Sequence, residues 1–319
     1  MSLDTHSLRT QDILTRLAAA FVVLSTLACG PPRDVTITSS KRPVSRVTEG
    51  TRVSVIGSGT PVADPARGGP ATAVRIEDHV LLFDAGAGVL RGLVSAHIAP
   101  GEVEHVFVTH LHSDHTLGLD ELIFGAWTVG REVPLHVHGP PGIDAMVTHL
   151  RAAFAEDRAL RVEGLEDSDA RGAEVSVHVV GEGAVHEQDD VTVSAFRVEH
   201  GSWEHAFGYR VESPDRVVVI SGDTAPSDAV VDACDGCDVL VHEVYSAAGW
   251  REGAEGFRAY HAAFHTSGEQ LGELAVRARP RLLVLNHLLF FGRPPEELLR
   301  EVRASFDGEV VIAEDGAEY

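Results

Sequence analysis

From Thr51 onward the chain alternates short runs of β-branched and apolar residues with turn signals, and with longer stretches whose apolar positions fall three and four apart. The short runs predict strands at RVSVIGSGT, TAVRIEDHVLLFDAG, HVFVTH, PLHVHGP, VTVSAFRVEHG, AFGYRVES, RVVVISGDT, VLVHEV, RLLVLNH and EVVIAED. The longer stretches predict helices at HTLGLDELIFGAWT, GIDAMVTHLRAAFAEDRAL, APSDAVVDAC, SGEQLGELAVRAR and PPEELLREVRASF, several of them opened by Pro or Ser. Early strands follow one another, later ones alternate with helices, and no repeat period interrupts them. A single layered α/β domain over residues 51–319 is the expectation. Strand after strand ends on an ionisable residue, in FDAG, VTH, VEHG, SGDT, VHE and LNH. Strand termini are where α/β folds place their sites.

The first 50 residues read differently. Arg9 and Arg16 precede an apolar stretch, Leu17 to Ala28, that is too short to span a bilayer and ends in small residues. Residues 1–29 are therefore expected to be a secretory signal. Cys29, after Leu27 and Ala28, resembles the lipobox cysteine of bacterial lipoproteins, although Thr26 stands where that motif usually has Leu. The resemblance implies a lipidated Cys29 and a protein exported to the periplasm or anchored to a membrane by its lipid. A plain cleaved signal and a retained anchor are the alternatives. Residues 30–50, rich in Pro, Ser and Thr, read as a tether.

Composition narrows the partners. A hydrophobic fraction of 44% with 23% charged residues is that of a soluble globular protein. The formal net charge of −22 repels RNA and anionic lipid unless a local basic patch overrides it, and no Lys/Arg-rich run is visible. A small-molecule substrate is expected rather than nucleic acid. Cys234 and Cys237 form one CxxC, and a closed zinc site would need two more ligands. In an exported chain the pair reads as a local disulfide or two free thiols.

The densest chemistry lies in VFVTHLHSDHTLGL, where an apolar run ends in His110, His112, Asp114 and His115. Imidazole and carboxylate are good donors for zinc-like ions. The HxHxDH spacing aims neighbouring ligands differently, so that His110 and His112 can hold one ion while Asp114 and His115 reach a second.

From Val53 to Asp315 the chain resembles the metallo-β-lactamase superfamily, whose motifs appear here in order: FDAG with Asp84, HLHSDH, VEHG with His200, SGDT with Asp223, and LNH with His287. The resemblance implies a four-layer αββα sandwich carrying two divalent metal ions, zinc first and manganese or iron as options. His110, His112 and His200 would hold one ion and Asp114, His115 and His287 the other, with Asp223 bridging. Asp84 would brace the histidine loop, the alternative being a turn residue before Gly86. The opening VIGSGTPVADPARGGPATAVRI, together with LVHEVY and FHTSGEQLGELAVRARPRLLVLNHL, is similar to the ribonuclease Z and arylsulfatase-like branch. That similarity implies that Glu243 orients His265, which would donate to the reacting phosphate. A core-strand role for Glu243 and a surface position at a helix N-terminus for His265 are the plain alternatives.

Ribonuclease Z carries a long Lys-rich arm that grips tRNA, and here only PDRV joins AFGYRVES to RVVVISGDT. Two ions ~3.5–4 Å apart lower the pKa of a bridging water from ~15.7 towards ~7 and stabilise charge on the attacked group. Asp114 could orient or deprotonate that hydroxide. The expected activity is hydrolysis of a small phosphodiester or related ester. The rivals are a 3′-tRNA endonuclease, which would need a homodimer to supply a basic groove, and a non-catalytic metal-binding lipoprotein. Phe290, Phe291 and Trp250 line a pocket or cap the core.

Overall fold

Two β-sheets stacked face to face, each with helices on its outer surface, form the αββα sandwich in the computed structural model, which describes residues 50–319. The expected signal segment, Cys29 and the tether before Gly50 lie outside those residues. Among the described residues no helix is long and apolar enough to cross a membrane.

The first sheet runs in chain order: β1 (Arg52–Gly57), β2 (Ala71–Ile76), β3 (His79–Phe83), β4 (Val103–Phe107), β5 (Leu135–Gly139) and β6 (Val175–Val179). The second comprises β7 (Gly183–Gln188), β8 (Val191–Arg197), β9 (Phe207–Glu212), β10 (Val217–Ile220), β11 (Val239–Tyr245), β12 (Leu282–Leu289) and β13 (Glu309–Ile312), also adjacent in sequence order. In each sheet a parallel half, β3 to β6 and β10 to β13, adjoins an antiparallel half. Parallel strands covered on both faces lose the alternation of a half-exposed strand, and β11 is buried at every position. Val55, Phe83, Phe107, Tyr209, Val218 and Val284 belong to the layer between the sheets.

Helices α1 (Val89–Ser95), α2 (Ser113–Thr116), α3 (Ala126–Thr128), α4 (Ile143–Ala153) and α5 (Ala155–Glu163) follow strands of the first sheet. Leu93 and Val147 seal its outer core. On the second sheet α6 (Asp228–Cys234), α9 (Gly268–Ala278) and α10 (Pro295–Arg303) bury Val230, Leu271, Leu274 and Leu298, while α7 (Ala247–Arg251) and α8 (Glu255–Phe264) lie beyond β11. Ser267 and Gln270 close a reciprocal capping box on α9, as the SGEQ start predicts. Cys234 and Cys237 are joined as a disulfide.

Several elements differ from the reading of the sequence. Strands β6 and β7 lie outside the strands read from the sequence: their side chains are half-buried or exposed, and GAVHEQ lacks apolar density, although VSVHV alternates as a strand does. Helix α8 forms where GWREGAEGFRAYH suggested a loop. The HTLGLDELIFGAWT stretch is broken, with a π-turn at Glu121–Gly125 between α2 and α3.

Candidate metal centre

Every residue expected to bind metal, and Asp84 expected to brace them, sits just beyond or near the C-terminal end of a strand. Asp84 follows β3, His110 to His115 follow β4, His200 follows β8 and Asp223 follows β10. His287 is delivered by a device the sequence does not advertise. Along the β11–β12 ladder Glu243 pairs with Asn286 and Val244 with Leu288, so His287 is the extra residue of a β-bulge, with φ of 43°. A bulge re-aims one side chain, and here that side chain is the imidazole. Close approach explains two motif glycines. A Cβ on Gly86 would lie 2.6 Å from the Asp114 carbonyl, and Gly222, with φ of 61°, turns the chain into Asp223.

The side chains converge. His110 Nε2 lies 2.9 Å from His112 Nδ1, and His200 Nε2 lies 3.1 Å from the same atom. Asp223 Oδ2 sits among imidazole nitrogens, 3.3 Å from His115 Nε2, 3.5 Å from His287 Nε2 and 3.9 Å from His110 Nε2. Asp114 Oδ2 is 3.2 Å from His287 Nε2 and 3.6 Å from His115 Nε2. Two donor groups take in the seven expected ligands, His110, His112, His200 and Asp223 in one and Asp114, His115 and His287 in the other, and a third group overlaps both by joining Asp223 and His287 to His265. Within this cluster His115 Nε2, Asp223 Oδ1 and His287 Nδ1 are buried without any hydrogen-bond partner. Such atoms are costly to bury, and a divalent ion fits the set because it supplies the partner that His115 and Asp223 lack.

Outer contacts set which nitrogen faces inward. His115 Nδ1 is 2.8 Å from Asp84 Oδ2, and His200 Nδ1 donates to the Phe264 carbonyl at 2.8 Å, leaving each Nε2 for the cluster. Asp84 Oδ1 also accepts from the backbone N–H of Thr109 at 2.8 Å and Oδ2 from its hydroxyl at 2.9 Å. Asp84 thus ties both ends of the histidine loop together, more than a turn residue does. Asp84→Asn is expected to weaken divalent-metal affinity by about 10- to 100-fold, measured by competition with a chromogenic chelator; unchanged affinity would reduce Asp84 to a loop brace.

Charge is distributed unevenly. Burial opposes ionisation of Asp223, yet the imidazoles of His287 and His115 hold it well below the ordinary carboxylate range. Burial also opposes protonation of His115, and the Asp223 and Asp84 carboxylates overcome it, raising its pKa well above the usual value. For His110, burial and the neighbouring His115 push the pKa well down, and burial lowers His200 to about 4. Those two rings are neutral near pH 7, the form that ligates metal.

Glu243 and His265 also meet. Both are buried, with His265 Nδ1 3.5 Å from Glu243 Oε2 and 3.8 Å from Asp223 Oδ2. The backbone N–H of Thr266 donates to Glu243 Oε1 at 2.7 Å and fixes the carboxylate. Burial lowers the His265 pKa, and Glu243, aided by Asp223, more than offsets this and raises it to about 8. His265 lies in extended backbone between α8 and the N-cap of α9 and is 5% exposed, so it is not a surface residue.

Two open grooves flank the loop Thr60–Gly69. One, of ≈ 240 Å³, runs past Arg91 to Asp114, and the other, of ≈ 350 Å³, is lined by Phe290 and Phe291. Trp250 packs against Tyr245 and donates to the Arg258 carbonyl, so it caps the core. Trp203 was not anticipated: its Nε1 donates to His112 Nε2 at 2.7 Å, and no periodicity in HGSWEH marks it.

The sequence matches the beta-lactamase superfamily domain over residues 79–288. It is 35% identical over 275 residues to a protein named ribonuclease Z from Mycobacterium sp. (strain KMS), covering 82% of this chain and 93% of that one. Among solved structures, human tRNase Z, short form, superposes with a TM-score of 0.64 at 23% identity, covering 84% of this chain and 98% of that one. A diphosphatase from the PhnP family superposes with a TM-score of 0.61 at 20% identity, covering 85% and 97%.

Proposed function

This chain belongs to the beta-lactamase superfamily and is a metal-dependent hydrolase, and on that premise we propose that it cleaves a small phosphodiester or related ester with two divalent ions. The observation that carries the reading is the convergence of seven His and Asp side chains into two donor groups. His110, His112, His200 and Asp223 would hold one ion, and Asp114, His115 and His287 the other, with Asp223 shared. Ions of the Zn²⁺, Mn²⁺ or Fe²⁺ class supply Lewis acidity there and make water acidic enough to attack near neutral pH. Asp114 orients the attacking water, and His265, held by Glu243, gives a proton to the departing oxygen.

A 3′-tRNA endonuclease is the second reading, favoured by the identity to ribonuclease Z. Because the match takes in 93% of that relative, the short turn from Ser213 to Arg216 between β9 and β10 does not separate the two. Charge does the separating in our reading. Lys41 is the chain's single lysine, and the net charge is −22. Among the described residues about half of the arginines pair with carboxylates, as in Arg251 with Glu269, Arg293 with Glu252, and Arg151 and Arg158 with Glu174. A polyanion therefore meets repulsion, whereas a small ester fits the ≈ 240 Å³ groove, where Arg67 and Arg91 offer cations beside Asp114. The N-terminal segment supports export, with anchoring through a lipidated Cys29, and the Cys234–Cys237 disulfide suits an oxidising compartment.

Metal-stripped protein reloaded with Zn²⁺ or Mn²⁺ and offered bis(4-nitrophenyl) phosphate, an aryl sulfate and a precursor tRNA separates the readings. Metal-dependent turnover of the diester with the tRNA left intact is expected. Cleavage at the tRNA 3′ end would replace our reading with the endonuclease, and inertness towards all three would sink both.

A further inference from the structure

A second group of histidines lies outside the seven-residue cluster. On β4, His105 shares a face with Phe107; on β5, His136 shares one with His138; and β6 adds His178. Register places His105 beside His136 and His138 beside His178. The face they occupy is that of Phe107, which belongs to the core between the two sheets. Where other strands fill this layer with Val, Phe and Tyr, this margin is filled with imidazoles. Edge strand β7 of the opposite sheet closes it with His186, whose ring centroid lies 4.3 Å from that of His105 and 5.8 Å from that of His138.

Packing alone gives no reason for this choice. His138 is 3% exposed, and burying its imidazole carries a polar cost that an aliphatic side chain would not incur; among the described residues Nδ1 has no hydrogen-bond partner, and Nε2 is the nitrogen that faces His105. His105 Nδ1 lies 3.2 Å from His138 Nε2, close to the ~3.3 Å edge that two ~2.05 Å bonds subtend at a tetrahedral ion. Burial, reinforced for His105 by His186 and for His138 by His178, lowers both to about 3. Both rings are therefore neutral ligands rather than cations. One nitrogen from each of His105, His138 and His186 lies within 4.8 Å of the others.

We propose that His105, His138 and His186 bind a late first-row divalent ion of the Zn²⁺ class, which ties the edge strand β7 to the facing sheet. Three imidazoles and no carboxylate form a nitrogen-rich site, which favours such ions over Mg²⁺, Ca²⁺ or Mn²⁺. His136 and His178, hydrogen-bonded to each other at 3.1 Å, flank it and orient the neighbouring rings. An ion bridging two sheets stabilises the folded chain by its binding free energy, because the unfolded chain holds no such site.

His186 is the ligand to remove, since it is half-buried on an edge strand and plays no part in the hydrolytic site. Wild type and His186→Ala, each saturated with Zn²⁺ and desalted, are compared by elemental analysis. One Zn²⁺ equivalent fewer in the variant is expected, with diester or other ester turnover within about twofold, and with a smaller Zn²⁺-dependent rise in Tm. The difference between two proteins does not depend on how many ions the hydrolytic centre holds, so failure here leaves that centre untouched. Should His186→Ala fail to fold, His186→Leu keeps the volume while removing the ligand. Equal Zn²⁺ content with equal thermal shifts would overturn the proposal and leave the histidines as packing.

Discussion

Replacing Asp223 by alanine is expected to abolish turnover, by about 10³-fold or more, and to lower the bound metal at the same time. At tenfold per ~1.4 kcal/mol this is a loss of at least ~4 kcal/mol of transition-state stabilisation. The size follows from position. One carboxylate oxygen lies within 3.9 Å of nitrogens on His110, His115, His265 and His287, so it is the atom common to both donor groups. Among the described residues no other acid contacts both halves. Without it the first group keeps only neutral imidazoles, and the raised His115 loses the larger of the two carboxylate influences that sustain it. Asp223 Oδ1 makes no hydrogen bond to the rest of the fold, so the variant should retain its secondary structure by circular dichroism. Asp223→Asn keeps the volume and should behave alike. A variant that keeps both its metal and its turnover would show that Asp223 only neutralises the histidines.

How far this centre could be read from the sequence depends on how each residue reaches it. His110, His112, Asp114 and His115 are neighbours in sequence, and four donors in six positions announce themselves. Asp84, His200 and Asp223 are single residues, legible because each ends a strand-like run beside glycine or a turn. His287 could be placed by the family resemblance, but the bulge that aims it could not, since RLLVLNH reads as an uninterrupted strand. Glu243 lies inside β11, a fully buried strand, and its pairing with His265 is legible only through the family resemblance; the fold adds the Thr266 N–H that fixes its carboxylate. Helix α8 is obscured in the sequence by the glycines at its start, Gly253 and Gly256, although Phe257, Tyr260 and Phe264 keep helical spacing; none of its residues is buried. The layered fold is legible from its buried strands; β6, VSVHV, alternates cleanly but has no buried position, and in β7, GAVHEQ, polar side chains blur the alternation. Those two strands carry His178 and His186. The segment that sequence patterning missed is thus also the one where imidazoles replace the expected core.

His265→Ala tests whether the pair beside the metal centre moves a proton or holds an ion. His265 is buried, its Nδ1 faces Glu243 Oε2 at 3.5 Å, and the Thr266 N–H fixes the carboxylate, so the ring is oriented from behind. His265 also falls within coordination distance of Asp223 and His287, which makes a ligand role the serious rival. The two roles diverge with the leaving group. A 4-nitrophenolate departs without a proton, whereas an alkoxide needs one in the transition state. If His265 is the acid, kcat for an alkyl diester should fall by about 10²- to 10³-fold, while the 4-nitrophenyl ester loses about tenfold or less. Metal content should not change. Glu243→Gln should reproduce the same leaving-group pattern with a smaller loss, because it acts only through the imidazole it orients. If His265 is a ligand instead, His265→Ala loses metal and slows both esters equally, and added Zn²⁺ restores part of the rate. Equal losses on the two esters with metal retained would leave neither role standing and would assign His265 to packing against His287, whose ring it stacks on at 5.7 Å.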